Sequence, residues 1–88
     1  MPTDELDPDA LVQMRFKRSL RGYAPAEVDQ LLQQLAQDLT RRREGHDPAL
    51  TAKDLRHAEF TASLRGYDPR QVDELLERLA AQLEEQED

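Results

Sequence analysis

Apolar residues recur at the spacing of an α-helix in two segments of the chain. In each segment the steps between them are four, three and four residues, which is the alternation of a and d positions in a coiled coil. The residues of the two seams are Val28, Leu32, Leu35 and Leu39, and Val72, Leu76, Leu79 and Leu83. Leu31 and Leu75 widen the stripe, so we expect a broader core than a bare two-stranded seam. One such helix alone is marginal in water and needs a partner.

The two seams belong to a sequence repeat with a constant offset of 44 positions. This offset superposes Leu20-Arg21-Gly22-Tyr23 on Leu64-Arg65-Gly66-Tyr67 without a gap. Further identical pairs are Phe16 with Phe60, Ser19 with Ser63, Pro25 with Pro69, and Asp29 with Asp73. Chance similarity between two helices would not also reproduce a loop of this composition. We therefore divide the chain into a first repeat, 1–44, and a second repeat, 45–88, which together form one small helical unit.

Each repeat is predicted to begin with a short helix. These helices run from Pro8 to about Phe16 and from Ala52 to about Phe60. The candidate cap residues at their starts are Asp7 and Thr51. A loop follows in each repeat, and its aromatic residues are expected to be structural because they recur where the chain must fold back onto a helix start. These aromatic residues are Phe16, Tyr23, Phe60 and Tyr67.

The loops are centred on Gly22 and Gly66, because glycine can adopt the positive φ that a sharp reversal often needs. The long helices are predicted to begin at Pro25 and Pro69, since proline is well placed at the first helical position.

The caps of the two long helices differ. Asp68 is a good N-cap, and Gln71 is expected to complete a capping box with it. Ala24 stands at the equivalent position of the first repeat, where an Ala cap costs about 1 kcal/mol relative to Asp.

The composition of the chain excludes several classes of function. The chain has 88 residues, a formal net charge of −7 and no cysteine, so disulfides and thiolate metal sites are excluded. The acidic balance argues against nucleic-acid binding, which depends on a positive surface. His46 and His57 have no partner at metal-ligand spacing, and no serine has an activating neighbour. We predict no enzymatic activity, cofactor, metal ion, nucleic acid or small-molecule substrate.

Location follows from hydropathy and the chain start. No apolar run is long enough to cross a bilayer, and the acidic N-terminus is unlike a secretory signal. Together with the absence of cysteine, these features favour the cytoplasm or a peripheral position on the inner face of the cell membrane.

The predicted fold is all-α, with two short-helix/loop/long-helix repeats whose long helices pair as a coiled coil. Two arrangements satisfy the seams equally. The two long helices of one chain pair as a pseudo-dimer, or each pairs with its counterpart in a second chain.

The loop and the helix start resemble the N-terminal domain of DivIVA proteins. The resemblance rests on Phe60, followed by Leu64-Arg65-Gly66-Tyr67-Asp68 and then Val72-Asp73. The first repeat departs from this pattern at Ala24, where the family usually has Asp. The resemblance implies a parallel coiled-coil dimer with crossed loops at one end, and an apolar residue and an Arg that each loop tip presents to the membrane.

Carried onto this chain, the apolar tip residues are Leu20 and Leu64, and their arginines are Arg21 and Arg65. The first repeat adds basic residues close to its tip, Lys17 and Arg18 among them, so we expect it to meet lipid if only one tip does. In the alternative, both leucines pack in the core and the arginines bond loop carbonyls.

Two functions are consistent with this resemblance. The chain is a peripheral membrane or division and polar-growth adaptor, with anionic inner-membrane lipid as a partner. Alternatively, it is a soluble coiled-coil protein that pairs with itself or another DivIVA-type protein without touching lipid.

Overall fold

A computed structural model of the chain describes residues 6–86. The elements in chain order are α1 (Pro8–Val12), β1 (Arg18–Tyr23), α2 (Pro25–Arg43), α3 (Ala52–Arg56), β2 (Ala62–Tyr67) and α4 (Pro69–Gln86). The first three and the last three follow the same order, a short helix, an extended tip segment and a long helix. The long helices begin at Pro25 and Pro69, as predicted. The short helices end several residues earlier than predicted, at Val12 and Arg56.

The caps of the short helices are confirmed. The side chain of Asp7 accepts a hydrogen bond from the Asp9 N–H at 3.3 Å. Thr51 and Asp54 form a reciprocal capping box, in which each side chain accepts from the backbone N–H of the other. These bonds satisfy donors that a helix start leaves unpaired.

The prediction of an all-α fold is wrong, because β1 and β2 form a two-stranded sheet. At its flanks the strand partners run in opposite directions, with Arg18 opposite Tyr67 and Tyr23 opposite Ala62. The pair of Tyr23 with Tyr67 instead has the sense of parallel strands. In two straight antiparallel strands of six residues, Tyr23 and Tyr67 would lie at opposite ends of the sheet, about 17 Å apart. Each tip segment must therefore turn back on itself, and the two turns cross.

Backbone hydrogen bonds extend this pairing beyond the strands. The Ala24 N–H donates to the carbonyl of Thr61, and the Asp68 N–H donates to the carbonyl of Lys17, both at 2.8 Å. Because the residues that enter each tip pair with the residues that leave the other tip, both tips project from the same end of the molecule. The sequence alone did not indicate strands, since each segment finds its partner in the other repeat.

The two tip segments approach each other most closely at Gly22 and Gly66. A Cβ at Gly22 would overlap the backbone of Gly66 and Tyr67, and a Cβ at Gly66 would overlap that of Gly22 and Tyr23. Neither glycine has a positive φ; within residues 6–86, positive φ occurs at Gly45 and Arg65. Glycine is therefore required here by the close approach of two backbones, and not by the positive φ expected from sequence.

The core is also broader than the predicted coiled coil. All eight seam residues are buried, but residues from the short helices, Leu11, Ala52 and Leu55, are buried with them. The most extensive helix contacts join α1 to α2 and α3 to α4. The expectation of two long helices paired as a plain coiled coil is therefore wrong. Each apolar stripe is covered largely by the short helix of its own repeat, in a globule of 41 × 28 × 19 Å.

The connection between the repeats is fastened to α2 by one buried carboxylate. Asp38 is 4% exposed and accepts the N–H groups of Ala49 and Leu50 at 2.7 and 3.3 Å. Arg42 pairs with Asp38 at 2.9 Å and also donates to the Leu50 carbonyl. Burial alone would raise the pKa of Asp38, but the two N–H donors and Arg42 outweigh it and hold the pKa below its usual value.

Candidate functional site

The exposed end of the molecule is built from the two turns, which we call the Leu20 tip (residues 17–24) and the Leu64 tip (residues 61–68). Leu20 and Leu64 are each 78% exposed. The alternative in which they pack in the core does not hold. Arg21 and Arg65 follow them in the chain and are exposed as well. Each tip thus presents an apolar side chain and a cation to solvent, on the same side of the molecule.

The base of the tips is an aromatic layer that joins the repeats. Phe16 of the first repeat contacts Tyr67 of the second, and Tyr23 contacts Phe60, both with ring centroids 5.0 Å apart. Each ring is half-buried against the core. Such tilted aromatic pairs contribute about 0.5–1.5 kcal/mol beyond their burial. The crossing is therefore held by packing as well as by backbone bonds.

The two tyrosine hydroxyls fasten each tip to the long helix of the other repeat. Tyr23 donates to Asp73 at 2.9 Å, and Tyr67 donates to Asp29 at 2.9 Å. Burial raises the pKa of both tyrosines, and the hydrogen bond to a carboxylate raises it further.

A second pair of crossed bonds lies at the helix starts. Glu27 accepts the Thr61 N–H at 2.7 Å and the Thr61 hydroxyl at 2.9 Å, which lowers the pKa of Glu27. At the equivalent place, Gln71 accepts the Lys17 N–H at 2.8 Å. The expected capping box of Gln71 with Asp68 is therefore wrong: Asp68 caps the Arg70 N–H, while Gln71 serves the other repeat.

Arg18 distinguishes the two tips. Its Nη1 donates to the Arg65 carbonyl at 3.0 Å, and its guanidinium lies 4.9 Å from the centroid of the Tyr67 ring. Arg65 has φ of 53°, a left-handed conformation that is rare for residues other than glycine. Ala62 occupies the position equivalent to Arg18, so the Leu20 tip has no such support. Arg18 thus braces the turn of the Leu64 tip.

The structure separates the sequence-predicted residues into two groups. The tip candidates Lys17, Arg18, Leu20, Arg21, Leu64 and Arg65 are all exposed and lie at one end. The eight seam residues lie in the core. Pro25 and Pro69 begin the helices that leave the tips. The bonds of Glu27, Thr61, Lys17 and Gln71 were missed from sequence, although their signal is present: Glu27 is equivalent to Gln71, and Lys17 to Thr61, at the same offset of 44.

The second repeat, which contains the Leu64 tip, is similar to a known family. The family model described as DivIVA protein matches residues 50–87. The match is consistent with a DivIVA-type domain over residues 50–87. This range contains α3, the Leu64 tip and all of α4. No match was found among curated proteins or among solved structures.

DivIVA proteins are a non-enzymatic, structural family linked to division and polar growth, and they generally self-associate. Within residues 6–86, no helix is both long enough and apolar enough to cross a bilayer.

Proposed function

We propose that this chain is a non-enzymatic adaptor of bacterial division or polar growth that binds the inner face of the cell membrane peripherally through its two tips. The proposal extends the DivIVA-type character of residues 50–87 to both repeats, since the first repeat shares the tip motif. The observation that carries it is the exposure of Leu20 and Leu64, 78% each, beside Arg21 and Arg65 at one end of the molecule.

The energetics favour two tips over one. Moving a leucine out of water is worth about 2 kcal/mol, and an arginine at an anionic lipid surface about 1 kcal/mol. A single tip would bind weakly. Two tips on one rigid base engage the surface together, so the second contact benefits from a high effective concentration. The crossed hydrogen bonds of Tyr23 and Tyr67 fix the two tips relative to each other, which is the condition for that gain.

The two tips differ in their number of positive charges. The Leu20 tip carries Lys17, Arg18 and Arg21, whereas the Leu64 tip has Thr61 and Ala62 in the places of the first two. The whole chain has a net charge of −7, so the attraction to anionic lipid must be local to this end. We expect the Leu20 tip to contribute more to binding than the Leu64 tip.

Co-sedimentation with lipid vesicles tests the proposal. Wild type should sediment with vesicles that contain phosphatidylglycerol, less with purely zwitterionic vesicles, and less again at high salt. Leu20→Ser with Leu64→Ser should abolish sedimentation, and Leu20→Ser alone should weaken it more than Leu64→Ser alone.

Val12→Ser provides the matched control, because Val12 is 53% exposed but belongs to α1 and not to a tip. This variant should sediment like wild type. If wild type stays in the supernatant with anionic vesicles, membrane binding is excluded and the chain functions as a soluble interaction protein.

A further inference from the structure

A groove between α2 and α3 differs sharply from its equivalent in the other repeat. Its floor is apolar and is formed by Leu31, Leu50, Ala58 and Phe60. Its rim carries three acidic residues, Glu27, Asp54 and Glu59, together with the uncharged Gln30 and Gln34. No Lys or Arg of the described chain lines it, and its volume is about 550 Å³. We call it the acidic groove.

The equivalent groove lies where α1 faces α4, and there the substitutions are systematic. Met14 replaces Ala58 and fills the space, so that groove has a volume of about 270 Å³. Arg15 replaces Glu59, which reverses the charge at that position. Gln71 replaces Glu27. The same scaffold thus carries one open groove whose charged residues are all acidic and one filled groove whose charged residues are Arg15, Arg78 and Glu74.

Equivalent leucines at the two grooves also differ in burial. Leu75, in the filled groove, is 2% exposed, whereas its equivalent Leu31 in the acidic groove is only half-buried. Leu6 is 2% exposed, whereas its equivalent Leu50 is half-buried. The acidic groove therefore leaves apolar area accessible to an apolar side chain flanked by positive charge.

The chain itself presents such a group. Among residues 6–86, the exposed large apolar side chains are Val12, Leu20 and Leu64. Leu20 alone of these has three exposed cations within three positions, Lys17, Arg18 and Arg21. We propose that the acidic groove receives the Leu20 tip of a second copy of the chain.

The proposed contact has a definite geometry and charge behaviour. Tip and groove are different surfaces, so the association is heterologous and can continue from copy to copy in an open chain. The net charge of −7 opposes association at long range, but at physiological ionic strength charges are screened beyond about 8 Å. The tip and the rim meet within that distance. The same leucine is the proposed lipid contact, so anionic vesicles and a second copy would compete for it.

Sedimentation velocity in the absence of lipid tests the contact. Wild type should show a sedimentation coefficient that rises with protein concentration, and the rise should diminish at high salt. Leu20→Ser should weaken association roughly 30-fold, because it removes one buried leucine. Two variants change the groove to the residues of its own equivalent, Ala58→Met to fill it and Glu59→Arg to reverse its charge. Both should abolish the concentration dependence, and because Glu59 is exposed, we expect Glu59→Arg to leave the fold unchanged.

A mixing experiment provides the decisive result. Leu20→Ser keeps the groove, and Ala58→Met keeps the tip, so the first should self-associate only weakly and the second not at all, but the two together should form a one-to-one complex. In a ¹⁵N-labelled Leu20→Ser sample, the amide signals of Leu31, Leu50 and Phe60 should shift on addition of unlabelled Ala58→Met. Those of Arg15 and Leu75 should not.

The absence of a mixed complex, or shifts confined to the filled groove, overturns the proposal. Because no vesicle is present, this outcome is independent of whether the tips bind lipid.

Discussion

The hydroxyl of Tyr67 donates a hydrogen bond to Oδ1 of Asp29 at 2.9 Å, across the boundary between the two repeats. The reciprocal bond from Tyr23 to Asp73 has the same length. Each repeat thus presents a tip that is fastened to the long helix of the other. Neither tip can keep this conformation without the other repeat, so the two halves form one cooperative unit.

Removing the Tyr67 hydroxyl should therefore destabilise the whole chain. Tyr67→Phe keeps the ring against Phe16 but leaves the Asp29 carboxylate without this donor. We expect the free energy of unfolding to fall by about 1 kcal/mol, measured by urea denaturation, and Tyr23→Phe to behave alike. Ser63→Ala is the control, since its hydroxyl makes a local contact of 3.4 Å. Equal stabilities of Tyr67→Phe and wild type would show that the hydroxyl does not fasten the repeats.

The crossing of the two backbones predicts an unusual sensitivity at the glycines. Gly22→Ala and Gly66→Ala each place a Cβ against the backbone of the opposite tip, and backbone cannot move aside as a flexible side chain can. We expect each variant to lose at least about 3 kcal/mol in urea unfolding, which is in the range of severe steric substitutions.

Gly45→Ala is the matched control. Gly45 has φ of 95° but open space around its Cβ position, so alanine there is strained without any clash. Its cost should be about 1 kcal/mol. If Gly22→Ala costs no more than Gly45→Ala, the tips do not cross as closely as described.

The unequal helix caps predict a stabilising substitution. Asp68 accepts the Arg70 N–H at 3.0 Å at the start of α4, whereas Ala24 makes no side-chain bond at the start of α2. Ala24→Asp should raise the free energy of unfolding by about 1 kcal/mol, and Asp68→Ala should lower it similarly. Thermal denaturation followed by circular dichroism measures both. A neutral Ala24→Asp would show that the acidic side chain at residue 24 cannot reach the helix N–H groups.

The parts of this fold that depend on local patterns are visible in the sequence. Proline at the first helical turn located the starts of α2 and α4, and the four-three-four spacing identified residues that are buried. The pairing of β1 with β2 was not visible, because Lys17 finds its partner Asp68 only after the chain has returned from a distant position. The short helices, five residues each, are too short to show a period, so their share of the core was assigned to a second long helix.

In the candidate site, too, the features set by local sequence could be predicted, and those that depend on the other repeat could not. The motif placed Leu20 and Leu64 at turns but left open whether they pack inward, and the crossing decides that they do not. The capping-box rule assigned Gln71 to its own helix, where the Lys17 N–H of the other repeat competes successfully for it. Local rules fail at positions where one repeat meets the other.

Asp38 predicts how the chain responds to acid. Its folded pKa lies below its usual value of 3.8, so the carboxylate stabilises the fold above that pH, and the contribution is lost as the pH falls through the folded pKa. Asp38→Asn should lower the free energy of unfolding by about 2 kcal/mol near neutral pH, because a buried acceptor of two N–H groups and Arg42 loses its charge. The difference from wild type should begin to shrink below about pH 4, where the unfolded chain takes up a proton at this carboxylate, and should vanish below the folded pKa, where folded wild type is protonated as well. Urea unfolding across this pH range measures it, with the exposed Asp47→Asn as control. A difference that stays constant with pH would mean that the charge of Asp38 does not hold the connection between the repeats.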